Sequence, residues 1–371
     1  ADGRAGAFSG SAAGSAAAAW AMGERWTFLP TLSGSWSGVE SALDTAGGTT
    51  LFSESMDHRA GLKAVYQPEK GRWRLKPSLG WRAKLLKETE DEDWLKGLFD
   101  HHILDLGVDW EYAARGGAGL RAGFAVSRTL FPNFSSLEST APRDSRGRPL
   151  ARELAGSRVL DSDAKLLTAA AWTPLARGFR ADGRVGLELR DFYDQKRVRP
   201  DGLLSDDTRG DFTTTVEAGL SHERELRLDR VLALGVDVAV ANVRSDQASF
   251  DPARGRYEPH HYDHTAWSVA PSAGLKWGDL SAPAALTAAL RFGARSWPHR
   301  SARDGVGAYS GSGLREENLS AAFDGRWPFG PGLALTARLE RRWSSSNDGY
   351  EAAHRFNHEA TSFLLGVAFE R

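Results

Sequence analysis

Along this chain, apolar and polar residues change places at every second position, and they do so in one segment after another. The clearest segment is 72–86. Trp73, Leu75, Pro77, Leu79, Trp81, Ala83 and Leu85 share one parity, and Arg74, Lys76, Ser78, Gly80, Arg82 and Lys84 share the other. Successive side chains of a strand point to opposite faces, so this pattern predicts a strand with one apolar and one charged face. The same reading holds at 26–37, where Trp26, Phe28, Leu32 and Trp36 alternate with Thr27, Thr31, Ser33, Ser35 and Ser37. At 101–112, His102, Leu104, Leu106, Val108, Trp110 and Tyr112 alternate with Asp105, Gly107, Asp109 and Glu111. Further strands are predicted over 119–130, 159–174, 179–192, 210–224, 230–243, 265–277, 284–297, 316–327 and 332–344. A last one covers 361–371, with Phe363, Leu365, Val367 and Phe369 on its apolar parity and Leu364 breaking the polar one.

The connections alternate as well. Short turns are predicted near 23, 70, 116, 177, 229, 279 and 330, and longer polar loops near 45, 90, 145, 200, 250, 305 and 350, with 131–158 the longest. Gly23-Glu24 between Trp20 and Trp26 reads as a tight hairpin. Strands joined by short and long connections in turn make an up-and-down antiparallel meander, with all short turns at one end.

Composition decides what surrounds such a wall. The chain has 371 residues, and no run of 18 apolar residues occurs in it, so no transmembrane helix is predicted. A membrane-crossing strand needs only about 9–11 residues and alternates, so it escapes that test. A soluble barrel would turn its large residues inward, and this many strands could not fill such a core with Trp and Leu. The 13 Trp gather near strand ends (Trp26, Trp36, Trp73, Trp81, Trp110, Trp267, Trp277, Trp327, Trp343), as aromatic girdles at two lipid interfaces require. The formal net charge of -1 offers no general attraction for nucleic acid. The absence of Cys excludes disulfides and thiolate metal sites. Ala1-Asp2-Gly3-Arg4 lacks a basic and apolar leader; a removed signal peptide and an upstream domain are both open.

In its alternating strands, asymmetric loops and terminal aromatic strand, the chain resembles Gram-negative outer-membrane β-barrel proteins, porin-like or exporter-type. The resemblance implies an all-β, transmembrane up-and-down antiparallel barrel spanning 1–371 as a single domain in the bacterial outer membrane. About 16 strands are expected if residues 1–22 supply two short ones hinged near Gly14, and 14 if that segment threads the lumen. The partners implied are membrane lipid and lipopolysaccharide, the outer-membrane assembly machinery through the C-terminal strand, and periplasmic or assembly proteins. In this class the last strand commonly ends on an aromatic, whereas here Glu370-Arg371 follow Phe369.

With the apolar parity toward lipid, the other parity lines the lumen. That set is Arg74, Lys76, Arg82, Lys84, Asp105, Asp109, Glu111, Arg121, Arg184, Glu188, Arg190, Glu217, Asp237, Arg291, Arg295, Arg338, Glu340 and Arg342. It reads either as a self-neutralising wet wall or as a polar, partly basic conduit for small polar or anionic solutes or an exported polymer. An occluded barrel anchoring a larger assembly is the alternative. A barrel enzyme is a third reading without support, since no G-x-S-x-G, Walker or H-E-x-x-H motif occurs. No catalytic, cofactor-binding or metal-ligating residue is assigned. His260, His261 and His264 lie in a predicted loop without a closed ligand set. The acidic run 88–93 lacks the spacing and the glycine of a calcium loop, so it reads as solvated charge. Asn133-Phe134-Ser135 carries no glycosylation meaning in a bacterium.

Overall fold

The computed structural model describes residues 7–369 except 42–50, 70, 88, 90, 136–155, 252–254, 280–281, 331 and 351–356. Its strands are β1 (Ala7–Ala17), β2 (Trp20–Met22), β3 (Trp26–Ser41), β4 (Leu51–Tyr66), β5 (Trp73–Lys87), β6 (His101–Ala113), β7 (Gly119–Leu130), β8 (Ser162–Pro174), β9 (Phe179–Val198), β10 (Leu204–Arg227) and β11 (Arg230–Ser245). A small hairpin, β12 (Ser249–Asp251) with β13 (Arg256–Glu258), follows. Then come β14 (His264–Trp277), β15 (Ala284–Arg303), β16 (Tyr309–Gly330), β17 (Leu333–Ser346) and β18 (His358–Phe369). All but the β12–β13 hairpin belong to one 16-stranded sheet, in which sheet order follows chain order. The predicted meander is therefore the observed one. No described helix is long and apolar enough to cross a membrane.

Residues 7–22 differ in detail from the expectation. No hinge falls at Gly14; Ala7–Ala17 is one strand, and Ala18-Ala19 separate it from β2. Both β1 and β2 pair with β3, end to end: Ala17 faces Thr31 and Trp20 faces Phe28. The hairpin at Gly23 is as predicted, with φ 69° at the glycine and Met22 facing Trp26.

Several stretches expected to be loops are strand. β3 and β4 extend into the polar stretch 39–54, β9 and β10 close on the turn at 199–203, and β15 and β16 occupy most of 298–313. Cross-strand charges support one of these extensions, with Arg197 and Asp207 3.0 Å apart. Their sequences are mostly polar on both parities, so pairing continues where the alternation that reveals it has stopped. The longest predicted loop lies mostly outside the described residues.

Two compact units divide the chain: Ala1–Ala113 with Arg121–Leu167 and Glu188–Asp211, and Ala114–Leu120 with Thr168–Leu187 and Phe212–Arg371. In the first, the apolar parity is the exposed one. Leu79 and Leu106 face each other in register and stand 57% and 59% exposed. Rings run side by side along the short-turn end: Trp26 on Tyr66 at 5.0 Å and Tyr66 on Trp73 at 5.6 Å between centroids. Trp73 and Trp81 lie eight positions apart, roughly 26 Å along a strand, which matches the ~25 Å apolar band of an outer-membrane strand.

The second unit repeats the arrangement. Leu286, Leu290, Phe292, Phe323, Leu335 and Leu339 are exposed, and Trp277 meets Trp327 at 5.8 Å. On β18, Phe363 pairs with Leu339 and Val367 with Leu335, extending the apolar face. Leu364 faces Arg338 and is 57% exposed, so it interrupts the polar face as the sequence implies.

Candidate functional site: the charged face

The polar parity carries the chemistry. In the first unit its centre is Glu111 on β6, whose side chain is 11% exposed. Three cations converge on it: Lys76 directly, Arg121 at 2.8 Å and Arg74 at 3.9 Å. Register brings them there, since Arg74 faces Glu111 and Lys76 faces Asp109 across β5–β6. Asp109 is 3.7 Å from Lys63 of β4. Arg190 and Glu188 pair within β9 at 2.9 Å. Arg82, Lys84 and Asp105 share the face but make no ion pair among the described residues. Asp105 sits opposite Gly80, which leaves its carboxylate room.

In the second unit the corresponding centre is Glu340 on β17, held by Arg342 and by Arg338 at 3.2 Å. Arg338 also reaches Asp324 of the facing strand at 3.2 Å. A recess of about 910 Å³ is lined by Asp237, Arg291, Arg295, Glu316, Arg338, Glu340 and Arg342, with Ala266, Ser268, Ala270 and Ala289 among its small lining residues. Arg295 lies against the Trp297 ring, 5.5 Å from its centroid. Arg291 makes no ion pair among the described residues. Asp237 and Asp182 both reach toward Gly219, where a Cβ would stand 2.9 Å from an oxygen of each. Only a residue without a side chain leaves those carboxylates their place. Arg184 and Glu217 are in the same unit and join neither cluster.

Sequence reasoning missed Asp57, Arg59 and Lys63 because it drew no strand over 51–66. The signal was present: Met56, Ala60 and Leu62 alternate with Asp57, Arg59 and Lys63. Missed too was Tyr193 on β9. Arg128 and Arg158 lie over its ring at 5.4 and 5.1 Å, and its hydroxyl donates to Asp163 at 2.7 Å. These residues are far apart in sequence, so only the fold joins them.

Two loops are more ordered than their charge suggests. The acidic run leads to Asp100, 1% exposed, which accepts from the Leu86 and Gly97 amides at 2.7 and 3.1 Å. Asn133 donates to the carbonyls of Leu95 and Gly97, and Phe134 packs on Phe99 at 5.9 Å. Within that loop the ammonium of Lys96, 2.6 Å away, holds the Asp93 carboxyl below its usual range. In the loop after β13, His260 lies 3.2 Å from Asp263, and His264 Nδ1 contacts the Tyr262 carbonyl at 3.0 Å. Burial, and then the charge of Arg300, push the His261 imidazole below its ordinary pKa, against the opposing pull of Asp251 and Glu258. No group of three or more ligands able to hold a metal occurs among the described residues.

A meander whose strands expose a band of Leu, Val and Phe between aromatic rings on one face, and gather ion pairs on the other, defines the class. This is a transmembrane up-and-down antiparallel β-barrel protein of the outer-membrane type. No family model matches the chain, and no curated protein does. Among solved structures it is similar to the copper transporter OprC, at 11% identity and a TM-score of 0.45, over 100% of this chain and 60% of that one. It is similar to the ferric-catecholate import receptor Fiu from K12 E. coli, at 11% identity and 0.47, over 98% and 68%. A bacterial polysaccharide outer membrane secretin is matched at 10% identity and 0.41, over 100% of both chains. The chain thus spans about 60% of the length of OprC.

Proposed function

We propose that this protein is an outer-membrane channel whose charged face forms a water-filled conduit for small polar and anionic solutes. The observation that carries the reading is the surplus of arginine on the polar face. Glu111 and Glu340 each gather cations into closed clusters, whereas Arg82, Arg184 and Arg291, like the acids Asp105 and Glu217, make no ion pair among the described residues. A cation without a partner on a membrane-spanning strand needs water or a passing anion. The apolar parity would face lipid and lipopolysaccharide, and the last strand would be the segment offered to the assembly machinery. Reconstitution into planar bilayers tests the reading. A steady open conductance, with a reversal potential on the anion side in a salt gradient, is the expected result. A chain that inserts and never conducts would instead be an anchoring barrel.

A further inference from the structure

β1 and β2 are one stave of the wall. Ala17 faces Thr31 and Trp20 faces Phe28, three residues further along both strands. Between them the Ala18 amide donates to the Pro30 carbonyl at 3.2 Å, so the register along β3 is continuous. Counted this way, the hydrogen-bonded path from β1 to β18 has fifteen members, and fourteen without β1. β3 leaves the turn at Gly23 and β1 is antiparallel to it, so β1 runs toward the short-turn end. β18 follows the loop after β17 and is antiparallel to that strand, so it runs toward the same end. Along the path among the described residues, β1 has β3 as its one neighbour and β18 has β17. Bacterial outer-membrane barrels have an even number of antiparallel strands, and an open edge in hydrocarbon leaves backbone groups without partners. Fifteen members cannot close antiparallel. The fourteen from β3 to β18 can, because β18 runs opposite to β3. The edge of β3 that this closure needs is the edge that β1 occupies.

Side-chain chemistry favours β18 for that place. Opposite Trp36 and Leu32 of the apolar parity of β3, β1 offers Ala12 and Ala16, with Gly10 and Gly14 on the same parity. Glycine in a strand costs backbone entropy and brings no side chain to pack. β18 carries Phe363, Leu365, Val367 and Phe369 on its apolar parity. A strand of Ala, Gly and Ser also specifies its register weakly. The aromatic contact of this segment is at its far end, where Trp20 lies 6.4 Å from Phe28 beside the Gly23 hairpin. We infer that β1 is a displaceable stave, hinged at that hairpin, which competes with β18 for the edge of β3. Apart from Phe8, β1 has no side chain larger than serine and no charge, so a released β1 can lie in the lumen as a strap. Only this gating consequence rests on the channel reading.

The chain has no cysteine, so introduced pairs report strand pairing without background. Opposed residues of an antiparallel pair lie within disulfide reach. The test oxidises the full chain, folded into lipid vesicles, in two sets of variants. The first is Ala13→Cys/Ser35→Cys, opposed on β1 and β3. The second combines Ser33→Cys with a cysteine at Ala360, Ser362, Leu364, Gly366 or Ala368 of β18, one at a time. Both the β1–β3 bond and one β3–β18 bond should form. Gly14→Val, where a Cβ meets nothing within 4 Å, should raise the first yield and lower the second. Gly14→Pro, which removes a ladder donor, should do the reverse. A β1–β3 bond with no β3–β18 bond at any position overturns the proposal, and so does the converse. Yields that move together under the Gly14 variants overturn it too, as does a bond between Ala13→Cys and Leu364→Cys, which would seal β1 directly on β18. Planar-bilayer recordings of Ala13→Cys/Ser35→Cys before and after reduction separate the two readings. Opposed yields without conductance in any variant sink the channel alone; conductance with yields that do not oppose each other sinks the displaceable stave alone.

Discussion

Replacing Glu111 with Gln removes the charge at the centre of the largest ion cluster of the first unit and keeps its shape. Glu111 and Lys76 have side chains only 11% and 12% exposed, while Arg121 and Arg74 are about half in water at 45% and 46%. The loss therefore falls mainly on Lys76. A charge-assisted hydrogen bond contributes about 1.5–3 kcal/mol, and removing one member of a buried pair costs about 3–5 kcal/mol. The exposed arginines add at most about 1 kcal/mol each. The loss for Glu111→Gln is then about 3–5 kcal/mol for leaving Lys76 unpaired, with up to about 2 kcal/mol more from the two arginines. The double variant Lys76→Met/Glu111→Gln should recover much of that loss, since it removes the stranded cation as well. Guanidinium unfolding of protein folded into lipid vesicles, followed by tryptophan fluorescence, measures all three variants. A Glu111→Gln loss below about 0.5 kcal/mol, typical of an exposed pair, would refute the view of Glu111 as the organising anion. So would a double variant less stable than Glu111→Gln alone.

Three further outcomes follow from other parts of the fold. Val108 faces Pro77, midway between Trp73 and Trp81, so Val108→Arg should cost about 2–4 kcal/mol in the same vesicle assay, as a cation at the bilayer midplane does; a neutral result would move the lipid band elsewhere. Gly178 has φ 81°, and a Cβ there would lie 2.6 Å from the Glu223 carbonyl oxygen, so Gly178→Ala should destabilise by about 1–3 kcal/mol and lower the temperature of the heat-induced gel shift. His261 is a base whose pKa burial depresses in the folded protein. The unfolded state then binds more protons below about pH 6.5, so the stabilisation is complete above that value and declines as pH falls. Hydrogen exchange in 255–263 should accelerate on acidification in the wild type and do so less in His261→Phe, with equal acceleration in both excluding His261 as the cause.

Most strands with one apolar face were legible, because different surroundings on the two sides force period two. The segment 72–86, read from Trp73 and Arg74 onward, became β5 within two residues at either end. Where polar residues fall on both parities, as at Asp194–Arg197 and Ser205–Arg209, the alternation vanishes and β9 and β10 continued unseen. The strand β4 was missed although its alternation was present, because its polar residues run on from the polar stretch before it.

The charged face divides the same way. Parity alone placed Arg74, Lys76, Asp109 and Glu111 on one side, since a side chain's face depends only on its position within a strand. Parity could not say that Glu111 would collect three cations while Arg82 would meet another arginine. That depends on which residue stands opposite, and opposition is set by the register between strands far apart in sequence. A shift of two residues would keep every side chain on its face and change every partner. The amino-acid order therefore determined the two faces of this wall, and tertiary pairing alone decided which charges on the polar face meet a partner.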